Sequence, residues 1–279
     1  MAQKRKRPKS LYHRAKDNQQ FQAAMTVVLP VFLGMVILVL WQTQTLHQIF
    51  HTDTFTLPLI DRIGTIFIEN RAKIWENVKA TMTVALIGLV LGSLLGYLIA
   101  ILAAFFPKMG TGGLSVIGAF ASIPVVALAP VMNNWTKGVS SDANTRSMVA
   151  KILVVMLIAA ANMGLNAYRG LTELKPYALD LMAVYAAKRR TVFQKLQLPN
   201  SVPYIFVALK VSVPASIMTT IVSEYFAEYI IGVGRQIREN IVLAQYSTAW
   251  AYIATACLLG IVSYVILMVL QKILLRNYH

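Results

Sequence analysis

The chain has 279 residues, 57% hydrophobic and only 13% charged, with a mean hydropathy of +0.60 and a formal net charge of +15. That balance excludes an ordinary soluble domain, and the long uncharged runs mark bilayer spans rather than one large core. The single cysteine, Cys257, lies inside such a run, so it reads as a small apolar packing residue, and disulfide frameworks and cysteine-rich metal sites are excluded.

The N-terminal arm carries Lys4, Arg5, Lys6, Arg7, Lys9, Arg14 and Lys16, as a signal-peptide n-region does. The run behind it, Ala23–Trp41, has 19 uncharged residues and no small-residue cleavage site, so the sequence predicts an uncleaved first span. His47 and His51 stand four apart with no third ligand, and they read as surface residues rather than a metal site. In Leu57–Trp75 the residues Leu57, Ile60, Ile63, Phe67 and Ile74 recur at helical spacing between charges, predicting an amphipathic helix at the membrane surface or against other spans.

Ala80–Phe106 is the second predicted span, with 27 uncharged residues. Gly88, Gly92, Gly96, Ala100 and Ala104 recur in it at intervals of four, so they line one face and let another helix approach closely, within the subunit or across a dimer. Gly113–Trp135 is the third, interrupted by Pro124 and Pro130. Each proline frees a carbonyl that lipid cannot satisfy, so this helix is expected to face protein or a water-filled path. Ile152–Tyr168 is the fourth, where Asn162 and Asn166 are candidates for hydrogen bonds between helices. Val202–Ser223 is the fifth, with Lys210 and Pro214 inside it, followed by an amphipathic stretch Phe226–Tyr246 bent at Gly232 and Gly234. Ala249–Leu270 is the sixth.

Six spans place both termini on one side, and the basic residues choose it. With the N-terminus inside, sixteen Lys/Arg are cytoplasmic: the seven of the arm, Lys108, six in Arg169–Pro199, Lys272 and Arg276. Nine are outside: Arg62, Arg71, Lys73, Lys79, Lys137, Arg146, Lys151, Arg235 and Arg238. Acidic residues nearly cancel only the outer set. The positive-inside pattern therefore predicts an all-α integral membrane protein of six helices with both termini cytoplasmic, and it explains the +15 without nucleic acid. The predicted organisation is a basic arm over 1–22 and a transmembrane domain over 23–276, with its core at 75–276 and a cytoplasmic loop at 169–202.

That loop joins a short run of small and apolar residues, a basic cluster (Lys188, Arg189, Arg190) and Leu198-Pro199. Ala183, Ala186 and Ala187 are expected on one helix face, and an apolar cytoplasmic face needs a partner to cover it. The loop resembles the EAA loop of permease subunits in binding-protein-dependent bacterial ABC importers, aligned on Leu198-Pro199. Asp180 stands for the glutamate, Leu181 and Met182 for the alanines, and Ala186 for the glycine; Phe193 takes the aromatic position, and Pro203 and Lys210 open the next span. The match is loose at its start and close at its end. Pro124-Val-Val-Ala127-Leu-Ala-Pro130 is similar to a stretch of the nitrate/sulfonate/taurine-type permeases, as are Glu224 with Gly232-Val-Gly234, and Trp250 with Gly260 in the last helix.

The resemblance implies a type I importer permease that couples to separate ATP-binding subunits through Asp180, Leu181, Met182, Ala183, Ala186, Ala187, Arg189, Phe193, Leu196, Leu198 and Pro199. It further implies a second permease copy or homologue, an extracytoplasmic solute-binding protein, a lipid environment in the inner membrane, and small anionic or heterocyclic solutes. Pro124, Pro130, Asn133, Asn134, Glu224 and Tyr225 are the candidates for the translocation path, with a structural pairing of Glu224 with Arg235 as the alternative. No phosphate-cradling loop occurs, Gly110–Gly113 lacking the lysine, and no catalytic or metal constellation is visible. ATP and Mg are therefore expected to be hydrolysed by partners, with no cofactor in this chain. The rival readings are an ATP-independent transporter or channel and a membrane anchor or sensor bound to an ATPase; an intramembrane enzyme lacks residues to work with.

Overall fold

The computed structural model describes residues 19–106, 112–116, 118–119, 122–227 and 231–276, whose regular structure is all helical. The helices are α1 Gln19–Gln42, α2 Thr45–Phe50, α3 Ile60–Glu69, α4 Arg71–Phe105, α5 Val125–Trp135, α6 Ala143–Thr172, α7 Ala178–Val184, α8 Arg189–Val192, α9 Leu198–Tyr225, α10 Val233–Val242 and α11 Tyr246–Leu274. The chain divides into two compact units, Met1–Thr65 and Ile66–His279. The predicted basic arm lies outside the described residues.

In the first unit α1 is followed by a short structured turn. Gln44 (φ 62°) and His51 (φ 52°) adopt left-handed conformations on either side of α2. Trp41 Nε1 donates to the Pro58 carbonyl at 3.0 Å, and the Ile60 amide donates to Gln42 Oε1 at 3.0 Å. His47 is buried rather than on the surface, its Nε2 lying 2.6 Å from the Leu57 carbonyl oxygen, while His51 is exposed. The predicted amphipathic stretch Leu57–Trp75 is two helices, because the chain breaks at Asn70 between α3 and α4.

In the second unit α4 and α6 form the central pair, with α9 packed on α6. A Cβ added at Gly88 would lie 2.6 Å from Val155 Cβ, one at Gly92 2.8 Å from Ala159 Cβ, and one at Gly96 2.9 Å from the Gly164 nitrogen. Real Cβ atoms do not approach so closely, so glycine is required wherever α4 crosses α6. Farther along, α6 meets α9 the same way: a Cβ at Gly170 would lie 2.8 Å from Ser201 Cα. Ala100, Met163, Ala167, Leu171 and Ala208 form the core cluster where the three helices converge.

Among the described residues, four helical stretches are long and apolar enough to cross a bilayer: Arg71–Phe105, Ala143–Thr172, Arg189–Tyr225 and Tyr246–Leu274. They correspond to the predicted second, fourth, fifth and sixth spans, the second extended at its start and the other three at both ends. The first predicted span, Ala23–Trp41, falls within α1, a helix of 24 residues. The third is not one continuous helix. Pro124 is in an extended conformation (ψ 126°) and starts α5, which has 11 residues and reaches about 17 Å. The stretch before it lies partly outside the described residues.

Two other expectations change, and one cap is added. Asn166 Nδ2 donates to the Asn162 carbonyl at 2.8 Å inside α6 instead of bridging helices. Cys257 is exposed on α11. The polar segment before α6 ends in an N-cap, where the Asp142 carboxylate accepts from the Thr145 hydroxyl at 2.7 Å and from the Thr145 amide at 2.9 Å. These bonds, the hydroxyl first, hold the Asp142 carboxyl below the usual range. A lowered pKa means that the cap stabilises the helix above the ordinary carboxylate pKa and loses that stabilisation as pH falls through the depressed value.

Replacing Gly92 by leucine is expected to destabilise the fold by at least the ~1–3 kcal/mol of core overpacking, read as a lower melting temperature of the detergent-purified protein. Gly260→Ala, at a glycine with open space around it, should leave the melt unchanged.

Candidate functional site

Two constellations stand at opposite ends of α4. The first is the segment 173–199. Here α7 starts at Tyr177 (φ 63°) and stops at Val184, and the chain then reverses through Ala186 (φ 47°). Ala183, Ala186 and Ala187 therefore do not share a helix face. The left-handed Ala186 occupies the position that the resemblance aligned with glycine, the residue that adopts this conformation freely. The chain continues through α8, a π-helical turn Phe193–Gln197, and α9, with Pro199 in its first turn.

The two halves of the segment differ in burial. No residue of α7 is buried, and Tyr177 and Val184 are 82% and 81% exposed. Leu179, Leu181 and Tyr185 are exposed too, as are Asp180 and Ala183, while Met182 and Ala187 are half-buried. Tyr177, Leu179, Val184 and Tyr185 were not singled out from the sequence; their signal was six large apolar residues within nine positions of a polar loop.

The second half is fastened to the membrane helices. Phe193 and Leu198 pack on the core cluster of Ala100, Met163, Ala167, Leu171 and Ala208. The Phe193 ring centroid is 4.6 Å from that of Phe105. The Arg189 guanidinium sits 5.2 Å over the Phe105 ring and donates to the Phe105 carbonyl, one of those a helix end leaves unpaired. Gln197 Nε2 donates to the Leu171 carbonyl at 2.9 Å, and Asn200 Nδ2 to the Gly170 carbonyl at 2.7 Å. Side chains after α7 thus cap the ends of both α4 and α6. Leu196 is half-buried and Pro199 exposed.

The second constellation is buried at the far end of α9. The Glu224 side chain is fully buried. It accepts from the Thr81 hydroxyl of α4 at 2.9 and 3.0 Å, and from the Gly234 amide at 2.9 Å. Thr81 Oγ1 in turn accepts from the Val233 amide at 3.0 Å, and Asn77 Oδ1 from the Gly232 amide at 2.8 Å. Asn77 Nδ2 donates to the Tyr252 hydroxyl of α11 at 3.3 Å. Gly232 has φ 133°, and a Cβ there would lie 2.6 Å from Glu224 Oε1, so both backbone and space demand glycine. The first turn of α10 is thereby held by α4 and α9 together.

Arg235 is not Glu224's partner; its Nη1 donates to the Ala227 carbonyl at 3.3 Å. Lys151, which the sequence suggested for an outer segment, is only 5% exposed within α6. The hydroxyls of Ser147 and Ser223 nearby are buried without a partner among the described residues. Of the remaining path candidates, Asn133 is half-buried and its Nδ2 donates to the Phe226 carbonyl at 3.3 Å, so the end of α5 meets that of α9. Arg238 stands 5.9 Å from the Tyr225 ring centroid and donates to the Tyr225 carbonyl. Asn134 is exposed, Pro124 caps α5, and Pro130 lies inside it.

The family model for "Binding-protein-dependent transport system inner membrane component" matches residues 92–279. The chain is 24% identical over 246 residues to the formylaminopyrimidine transport permease protein ThiX of Halalkalibacterium halodurans, covering 88% of this chain and 94% of that one. It is 23% identical over 252 residues to the riboflavin transport system permease protein RibX of Chloroflexus aurantiacus, covering 89% of each. Against a probable ABC transporter permease protein of Haemophilus influenzae the identity is 24% over 70% of this chain and 76% of the relative. Two inward-facing crystal structures of the MetNI methionine ABC transporter share its fold, with TM-scores of 0.50 and 0.52 at 16% identity, each covering 71% of this chain and 94% of theirs. These relatives support the broad permease family and not the narrower nitrate/sulfonate/taurine type.

Removing the Glu224 side chain as alanine leaves Thr81 and the Gly234 amide without their buried acceptor, and is expected to cost about 1–3 kcal/mol for each orphaned donor. Asn134→Ala, at an exposed position, should cost under about 0.5 kcal/mol. Ala186→Gly should stabilise by about 1 kcal/mol by relieving the left-handed alanine. Denaturant or thermal melts of the purified protein check all three.

Proposed function

The chain belongs to the family of binding-protein-dependent transport system inner membrane components and is a permease subunit of an ABC importer, and from that premise we propose how it sits, what it docks and what it conducts. It is a multi-pass inner-membrane protein whose ATP hydrolysis lies with partner subunits. In our reading it has six membrane-crossing segments with both termini cytoplasmic, supported by the sixteen-to-nine basic asymmetry. Under that orientation α7 faces the cytoplasm and the Glu224 network faces outward.

The observation that carries the reading is the exposed apolar surface of α7, with Leu179, Leu181, Val184, Tyr177 and Tyr185 displayed together on a membrane protein's polar side. We assign it to a groove of the ATP-binding subunit. Phe193, Leu198 and Arg189 then act one step inward, fastening the docked segment to α4 and α6. Because the glycine crossings prevent α4 and α6 from sliding freely, a push at α7 moves them as one body. Thr81 lies 24 residues from Phe105, about 36 Å along α4. The same helix therefore carries movement to the latch at Glu224 and α10, at the outer mouth.

ATP and Mg are bound by the partner subunits, and none of this chain's residues is assigned to them. A second permease copy or homologue completes the path, and an extracytoplasmic binding protein delivers the solute. That solute is a small nitrogen heterocycle or its precursor, a choice supported by the transport named for two of the relatives. An ATP-independent channel leaves the α7 surface without a purpose, and an anchor or sensor leaves the latch without one.

Leu181→Asp or Tyr185→Asp is expected to reduce co-purification of the ATP-binding subunit at least tenfold, because each puts a charge into an apolar interface. Phe193→Ala should keep the complex but lower uptake several-fold. Assembly and uptake that both survive Leu181→Asp and Phe193→Ala would overturn the docking assignment.

A further inference from the structure

Between the first half of α9 and the second half of α11 lies an open groove of about 880 Å³. Its floor is apolar, including Val207, Val265 and Met268, which are 46%, 52% and 40% exposed. Three cations stand around it, Lys210 from α9 with Lys272 and Arg276 from the end of α11, and no acidic residue lines it. No hydrogen bond or ion pair to these three falls among the described residues. Like charges converging over an apolar surface repel one another and lose hydration, so the arrangement favours an anion arriving with its own apolar part. The long lysine and arginine stems let the charged ends rise from that floor toward a headgroup plane.

We propose that this groove binds one anionic phospholipid, its phosphate held among Lys210, Lys272 and Arg276 and an acyl chain lying along Val207, Val265 and Met268. Basic pockets between membrane helices suit such headgroups. A free phosphate would match the cations but leave the half-exposed floor uncovered. A second copy of this chain brings a formal net charge of +15 and fits a basic groove poorly. The choice of leaflet, the cytoplasmic one, rests on the orientation proposed above; the headgroup chemistry does not.

The test uses the full-length chain purified in a neutral detergent and stripped of lipid. Dioleoylphosphatidylglycerol, dioleoylphosphatidylcholine and inorganic phosphate are added separately, with binding followed by native mass spectrometry and thermal melting. Phosphatidylglycerol should bind one per chain and raise the melting temperature, while the other two should not. Replacing Lys210, Lys272 and Arg276 together by glutamine should weaken that binding roughly a hundredfold. Met268→Trp, which fills the floor and keeps all three cations, should weaken it as well. If the triple variant does not fold, Lys272→Gln and Met268→Trp decide, and unchanged affinity in both overturns the site. Equal binding of phosphatidylcholine, or displacement of phosphatidylglycerol by phosphate, also overturns it, pointing to an unselective groove or a soluble-anion site. The readout is lipid alone, so it fails separately from the permease reading, which co-purification of the ATP-binding subunit tests.

Discussion

Lipid tails are as apolar as leucine, so helices in a bilayer gain little from hiding apolar surface against each other. They must associate through close van der Waals contact. In this protein that constraint is met where Gly88, Gly92 and Gly96 bring α4 against Val155, Ala159, Ala160 and Gly164 of α6. Side chains there would hold the backbones apart and forfeit the contact. The rest of the second unit is built on this pair: α9 closes on α6 at Gly170, and the core cluster fills the place where all three meet.

A rigid pair is useful only if something grips it. At one end the grip comes from side chains that satisfy helix carbonyls, with Arg189 on α4 and Gln197 and Asn200 on α6. At the other it comes from Thr81, which holds the Glu224 carboxylate and the Val233 amide, and from Asn77, which holds the Gly232 amide, while the carboxylate itself takes the Gly234 amide. The second grip uses buried groups with no water to replace a lost partner, so losing one leaves an orphan.

The polar residues of the spans divide by the same logic. Glu224 is held by hydrogen bonds from Thr81 and the Gly234 amide. Lys210 instead lies at a half-open groove with two other cations. One is a structural tie inside the protein, and the other faces outward toward whatever surrounds the subunit. Hydropathy alone treats both as interruptions of an apolar run.

Composition and periodicity were enough to read a helical membrane protein and the stripe of small residues on α4, while the family was legible only through the resemblance of the loop before α9. The first two follow from local chemistry: span length from bilayer thickness, the stripe from the helical repeat. Pro124 was legible as an interruption but not as the start of a short helix, because only the surrounding packing decides whether a proline kinks or ends one. Only tertiary structure decided that Lys151 is buried, that Glu224 answers to Thr81 and Gly234 rather than Arg235, and that Arg189 and Phe193 fasten the loop while Leu181 and Tyr185 remain exposed. Those pairings join residues as far apart as Thr81 and Glu224. No spacing rule connects them; they exist because α4, α6 and α9 approach closely enough for one side chain to meet another.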